Sequence, residues 1–177
     1  MPSAHTCAPT PVPTTPEPTP IPTSCDAGFI LLNGASCVAC PCGKYASTGE
    51  CADCSIGRYA TSNRSEFCTA APRSTYVDAE GQCNVTACQT GQHTVSIATN
   101  SSAGCLDTAA GYYLHNRTLK ATLCPAGRLS SSINSLYCSL CGVGKYSSMG
   151  ASSCSLCQEG RYQADPGQSS CDLCPYG

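Results

Sequence analysis

Apolar residues in this chain stand singly or in short clusters, and nowhere do they recur at helical spacing through three turns. That pattern predicts almost no helix. A shorter motif recurs instead: glycine, a variable residue, an aromatic, then a run of Ser, Thr, Gly and Asn ending at cysteine. It reads Gly43-Lys-Tyr45, Gly57-Arg-Tyr59, Gly111-Tyr-Tyr113, Gly144-Lys-Tyr146 and Gly160-Arg-Tyr162. The glycine supplies a turn with positive φ available, the aromatic opens a short strand, and the polar run makes a hairpin loop. The longest apolar run, Phe29-Ile30-Leu31-Leu32, precedes the hairpin dipeptide Asn33-Gly34 and is far too short to cross a bilayer. So small a module cannot bury all four side chains, which read as a cap on the first repeat or as a subunit contact.

First-position cysteines, or their equivalents, fall at 37, 51, 68, 83, 105, 121, 138, 154 and 171. Decayed copies persist: Ser74-Thr-Tyr76 lacks the glycine, Gly91-Gln-His93 the tyrosine and Gly127-Arg-Leu129 the aromatic. Ala71, Thr108 and Ala121 stand where cysteines are expected. A period near 16 that survives such decay marks a tandem array. The chain divides into a Pro/Thr arm over 1–24, cysteine-rich repeats over 25–67, degenerate sequon-bearing repeats over 68–137 and regular repeats over 138–177. A unit this small buries no core alone, so neighbours must be cross-linked. The tyrosines are read as covers for the disulfides, with an exposed aromatic stripe as the alternative.

Composition sharpens the picture. Ala and Cys make up over half of the 41% hydrophobic fraction, tryptophan is absent, and 18 residues are cysteine. With only 11% charged residues, disorder is disfavoured and a covalently stapled scaffold is indicated. The net charge is −2 and the basic residues are scattered, which argues against nucleic acid.

Cys138, Cys141, Cys154 and Cys157 have zinc-ribbon spacing. The pairs run on at the same period, however, and copies that lack one cysteine would leave a metal with three ligands. Sequons at Asn63, Asn84, Asn100 and Asn116 are more than chance supplies from six asparagines. Three of them follow the Gly-x-aromatic element, where a glycan would face solvent. Passage through an oxidising secretory route favours disulfides over zinc or redox thiols.

At C-x2-C-x2-G-x-Y the chain resembles the ephrin-receptor-type cysteine-rich repeat, and more distantly the tumour necrosis factor receptor and EGF-like modules. The resemblance covers 25–177 and is best at 37–59 and 138–174. It implies small disulfide-rich repeats forming an extended rod of short β-hairpins. It also implies first-to-first and second-to-second pairing between neighbours: Cys37–Cys51, Cys40–Cys54, Cys138–Cys154 and Cys141–Cys157, with Cys68–Cys83 and Cys105–Cys124 in the degenerate region.

Eight of the 13 prolines lie in the first 22 residues, predicting an N-terminal polyproline II arm. Extended, it places Cys7 and Cys25 roughly 55 Å apart, so Cys7 is a candidate intermolecular link or a free thiol. Thr10, Thr14, Thr15, Thr19 and Thr23 beside prolines suit O-glycosylation. The tract resembles the hydroxyproline-rich spacers of algal and plant extracellular glycoproteins; the other reading is a plain linker. No secretion signal opens the chain, which is taken to start inside a longer precursor. Cys171 and Cys174 are expected to lack partners, as in a piece of a longer array or in molecules joined end to end.

His5, His93 and His115 are isolated, and the sequence holds no calcium loop, phosphate loop or nucleophile elbow. The expectation is a non-enzymatic extracellular glycoprotein without cofactor or metal. It would self-associate, or join related repeat proteins, into a fibre, appendage or matrix, with no membrane insertion within the chain. The alternative is a receptor-type ectodomain binding a protein ligand.

Overall fold

The computed structural model describes residues 21–175. Cys7, Thr10, Thr14, Thr15 and Thr19, and with them nearly all of the expected polyproline arm, lie outside these residues. The architecture is a succession of two-stranded antiparallel hairpins, eight in all among the described residues. In chain order they are β1 (Phe29–Leu32) with β2 (Ser36–Ala39), β3 (Lys44–Ser47) with β4 (Glu50–Asp53), β5 (Arg58–Tyr59) with β6 (Thr69–Ala70), and β7 (Thr75–Tyr76) with β8 (Thr86–Ala87). There follow β9 (Tyr112–Leu114) with β10 (Ala121–Leu123), β11 (Arg128–Leu129) with β12 (Ser139–Leu140), β13 (Lys145–Tyr146) with β14 (Ser155–Leu156), and β15 (Arg161–Tyr162) with β16 (Asp172–Leu173). The only helix among the described residues is a 3-10 turn at Ser102–Gly104. The near-absence of helix is what the apolar pattern predicted, and small disulfide-rich repeats are what the cysteine content and the resemblance implied.

Each unit opens on one residue, and nine such residues run along the chain: Gly28, Gly43, Gly57, Ser74, Gly91, Gly111, Gly127, Gly144 and Gly160. All but Ser74 are glycines, and all nine have positive φ. The run Phe29–Leu32 is the first strand of the first unit, turned by Asn33 and Gly34 at φ 51 and 66. The unit at Gly91 has only an isolated bridge between His93 and Leu106.

Three sets of backbone bonds stack the units. The opening amide donates to the next unit, as from Gly43 to the Ala60 carbonyl (2.8 Å), Gly57 to Val77 (2.9 Å) and Gly127 to Ser147 (2.9 Å). In six units the loop also reaches backwards, whereas in the unit at Gly111 it bonds within itself, Leu119 to His115 O (2.8 Å). Arg64 donates to Cys40 O (2.9 Å), Gly81 to Cys54 O (2.9 Å), Ala98 to Ala71 O (2.8 Å), Asn134 to Thr108 O (2.7 Å), Gly150 to Cys124 O (2.8 Å) and Gly167 to Cys141 O (2.7 Å). All six of these turn residues have positive φ. The turn carbonyl then lies against the opening glycine two units earlier: that of Gly81 against Gly43, and that of Gly167 against Gly127. A Cβ on either glycine would collide with backbone, so glycine is required there by close approach as well as by φ. The third set closes each hairpin, as Cys54 N–H to Gly43 O (2.8 Å).

What is buried follows from this stacking. In six of the nine units the residue three after the opening position is buried: Ala60, Val77, Thr94, Leu114, Ser130 and Ser147 are at most 7% exposed. Only small or slim side chains fit where three units converge. Where that residue is polar, its hydroxyl finds a carbonyl, Ser147 donating to Arg128 O (2.9 Å) and Thr94 to Ser96 O (2.7 Å). Cys40, Cys54, Cys124 and Cys141 are fully buried beside them. Sulfur and small side chains thus form the interior. Tyr45 does pack on the cluster of Cys54, Ala60 and Cys68, whereas Tyr162 is 44% exposed.

Candidate functional site

The disulfides run Cys25–Cys37, Cys40–Cys51, Cys42–Cys83, Cys54–Cys68, Cys88–Cys105, Cys124–Cys138, Cys141–Cys154 and Cys157–Cys171. All twelve cysteines expected to bond do so, yet none of the six expected pairings occurs. Cys37–Cys51, Cys40–Cys54, Cys138–Cys154, Cys141–Cys157, Cys68–Cys83 and Cys105–Cys124 are each replaced. The rule is second-to-first: the cysteine three before the opening glycine bonds the first-position cysteine at the far end of the same hairpin. Among the described residues seven of the eight bridges therefore close one unit each, and apart from Cys42–Cys83 stacking rather than sulfur joins one unit to the next. The physical reason is geometric. The three-residue step back from the glycine brings the second cysteine alongside the returning strand, with Cα–Cα distances of 5.4 to 5.8 Å in the regular units. Cys171 has a partner, Cys157, contrary to expectation. Cys174 is unbonded among the described residues.

Among the decayed copies the units at Gly91 and Gly127 keep the rule, and the unit at Ser74 departs from it. Ala71 removes the partner of Cys83, and Cys83 bonds Cys42 instead, 41 residues away. Thr108 and Ala121 occupy the two positions of a single absent bridge. Thr108 is fully buried where a cysteine would stand, and its Oγ1 donates to Gly91 O (2.7 Å). A polar clasp surrounds it. Thr108 N–H donates to Asn134 Oδ1 (2.8 Å), while Asn134 Nδ2 and Gln92 Nε2 both donate to Asp107 Oδ1 (2.8 and 2.9 Å). These two side-chain bonds, Asn134 first, hold the Asp107 carboxyl below its ordinary pKa.

The basic residue of the motif also has a structural task. Arg58, Arg128 and Arg161 fold over their hairpins and donate to the carbonyls of Cys68, Cys138 and Cys171 (3.0, 3.1 and 3.0 Å). Lys44 instead pairs with Asp53 across β3 and β4 (2.7 Å).

The four sequon asparagines are all exposed, and so is Thr23. Asn63 accepts a bond from Cys42 N–H through Oδ1 (3.0 Å), which leaves its Nδ2 outward. A groove of about 400 Å³ is lined by Leu129, Ile133, Leu136, Tyr137 and a row of serines, without an acid, a histidine or a thiol. Among the described residues no three His, Cys, Asp or Glu side chains gather to hold a metal ion, and no helix is long and apolar enough to cross a membrane. The outward surface carries apolar residues instead. Leu140, Leu156 and Leu173 hold the same register position in successive hairpins, opposite Arg128, Lys145 and Arg161, and are 49, 70 and 69% exposed. Phe67 and Tyr137, each just before a first-position cysteine, are 70 and 74% exposed. Sequence reasoning missed these two, having looked for surface aromatics at the tyrosine of the motif.

The family comparison falls on two of the regular hairpins. Residues 144–177 match the family described as tyrosine-protein kinase ephrin type A/B receptor-like. The resemblance first seen at C-x2-C-x2-G-x-Y thus holds over the last two units. No curated protein sequence matches the chain. Eight disulfides and an ectodomain-type family suit an extracellular setting.

Proposed function

We propose that the chain is a non-catalytic extracellular scaffold, a stack of disulfide-closed hairpins that assembles laterally or end to end into a fibre, appendage or matrix. One observation carries the reading. Six units return a backbone bond to an earlier part of the stack, the unit at Gly111 being an exception, while apolar side chains such as Leu156 and Leu173 are exposed and available for contact. Backbone stacking gives length with little demand on sequence, which suits a structural element. The match of the last two units to a receptor-like repeat family supports the non-catalytic part. Glycans on Asn63, Asn84, Asn100 and Asn116 belong to the same proposal, with O-glycans on the Pro/Thr arm and an intermolecular bond at Cys7.

The family match favours a second reading, a receptor-type ectodomain in which the groove at Ile133 and Tyr137 meets a protein ligand. Electron microscopy with sedimentation of natively purified protein separates the two. Filaments or concentration-dependent oligomers support the scaffold; a monomer at every concentration removes it and leaves the receptor reading. Intact mass before and after deglycosylation tests the sugars, and an unshifted mass eliminates them.

A further inference from the structure

A disulfide carries tension past the loop it closes. The bridges therefore decide which parts of the array lengthen when its two ends are pulled. From Cys25 the load passes to Cys37, along three residues to Cys40, then to Cys42 and straight across to Cys83. Five residues lead to Cys88, and its bridge hands the load to Cys105. From Cys124 onward, the bridges to Cys138, Cys154 and Cys171 are joined by three-residue links. One long stretch remains on the load path, the nineteen-residue step from Cys105 to Cys124. It contains the whole unit opened by Gly111, whose own bridge is replaced by Thr108 and Ala121.

We propose that this unit is a tension-yielding segment, the single place where the array lengthens under load while remaining covalently continuous. Non-covalent contacts alone hold it shut. They are the three-residue pairing of β9 with β10, buried Leu114, the amides of Gly111 and Leu114 donating to Ser130 O and Ser135 O (both 2.8 Å), the Asn134 clasp, and on the stretch before Gly111 the Leu106–His93 backbone pair and the Thr108 hydroxyl donating to Gly91 O. Opening releases at most about 65 Å of contour. The unit at Ser74 lacks its own bridge too, because of Ala71, but Cys42–Cys83 diverts load around it and around the units at Gly43 and Gly57. The two bridge losses thus have opposite mechanical outcomes, one shielded and one exposed.

Single-molecule stretching of the full chain without reductant tests this. The native chain gives one release of no more than about 65 Å. The T108C/A121C chain, its new disulfide verified by peptide mass, gives none. The C42S/C83S chain gives two, the second arising from the twenty-residue step from Cys68 to Cys88 and spanning at most about 70 Å. N134A lowers the release force without altering its length. Hydrogen exchange on unstretched native protein is the second measurement, with amides of β9 and β10 exchanging at least tenfold faster than those of β11 and β12. Several releases or none from the native chain, a release that persists once the new disulfide has formed, or equal exchange in the two hairpins overturns the proposal.

Discussion

Cys83 is bonded to Cys42 across 41 residues because Ala71, fully buried, occupies the place of its regular partner. The irregular bridge and the missing cysteine are thus two sides of one substitution. This relationship makes the pairing rule testable by restoring what was lost.

Ala71→Cys should recapture Cys83 in the local bridge and release Cys42 as a thiol. The introduced sulfur lies within the same hairpin as Cys83, where the closing loop is short and the approach is that of the regular units. A non-reducing peptide map reads the outcome. Persistence of Cys42–Cys83 beside a free introduced thiol would show that the long bridge forms independently of the vacancy.

Gly127→Ala and Gly144→Ala form a matched pair. Both glycines have positive φ, at 82 and 69, which costs an L-residue about 1–2 kcal/mol. At Gly127 the new methyl also meets the Gly167 backbone, while at Gly144 nothing lies within 4 Å. Denaturant unfolding with disulfides intact should show the Gly127 variant losing clearly more stability than the Gly144 variant. Equal losses would mean that the close approach between units carries no energetic weight.

Acid should loosen the clasp at Asp107. Its folded pKa lies below the ordinary 3.8 because Asn134 and Gln92 donate to the carboxylate. A depressed acid contributes stability above its unfolded pKa and loses it as pH falls through the folded value, so the loss belongs below pH 3.8. The side-chain amide resonances of Asn134, followed by NMR, should shift in that window, and Asp107→Asn should abolish the shift. A titration unaffected by the substitution would assign it to another group.

Reductant should unfold the array and a chelator should leave it unchanged. Each bridge contributes about 2–4 kcal/mol by restricting the unfolded chain, and the interior is otherwise small side chains. Circular dichroism with dithiothreitol or EDTA makes the comparison. Unfolding by EDTA alone would return the paired cysteines to a metal.

The hairpins were legible in the sequence because glycine, aromatic and polar loop each impose a local geometry, and Phe29–Leu32 before Asn33-Gly34 is as plain a hairpin as the chain contains. The pairing was not. Two cysteines three residues apart at a period near 16 satisfy first-to-first and second-to-first connection equally well, and spacing alone does not choose. The choice was present in the decay: Thr108 and Ala121 are lost together, as two ends of one bridge should be, while Ala71 is lost alone beside an extra Cys42. The interior was missed for another reason. Ala60, Thr94, Ser130 and Ser147 look like loop residues by hydropathy, and only the convergence of three units makes their position a core. Nor does Arg64, Ala98 or Asn134 announce a left-handed turn; backbone docking imposes it.

Because each bridge of the regular units joins the end of one Cys-x-x-Cys to the beginning of the next, any slice of them one period long contains one donor and one acceptor of sulfur, wherever the cut is made. Gene duplication or slippage by whole periods therefore lengthens or shortens the array without stranding a thiol. A protein wired first-to-first would lack that tolerance, since changing its repeat number from even to odd would leave cysteines unmatched.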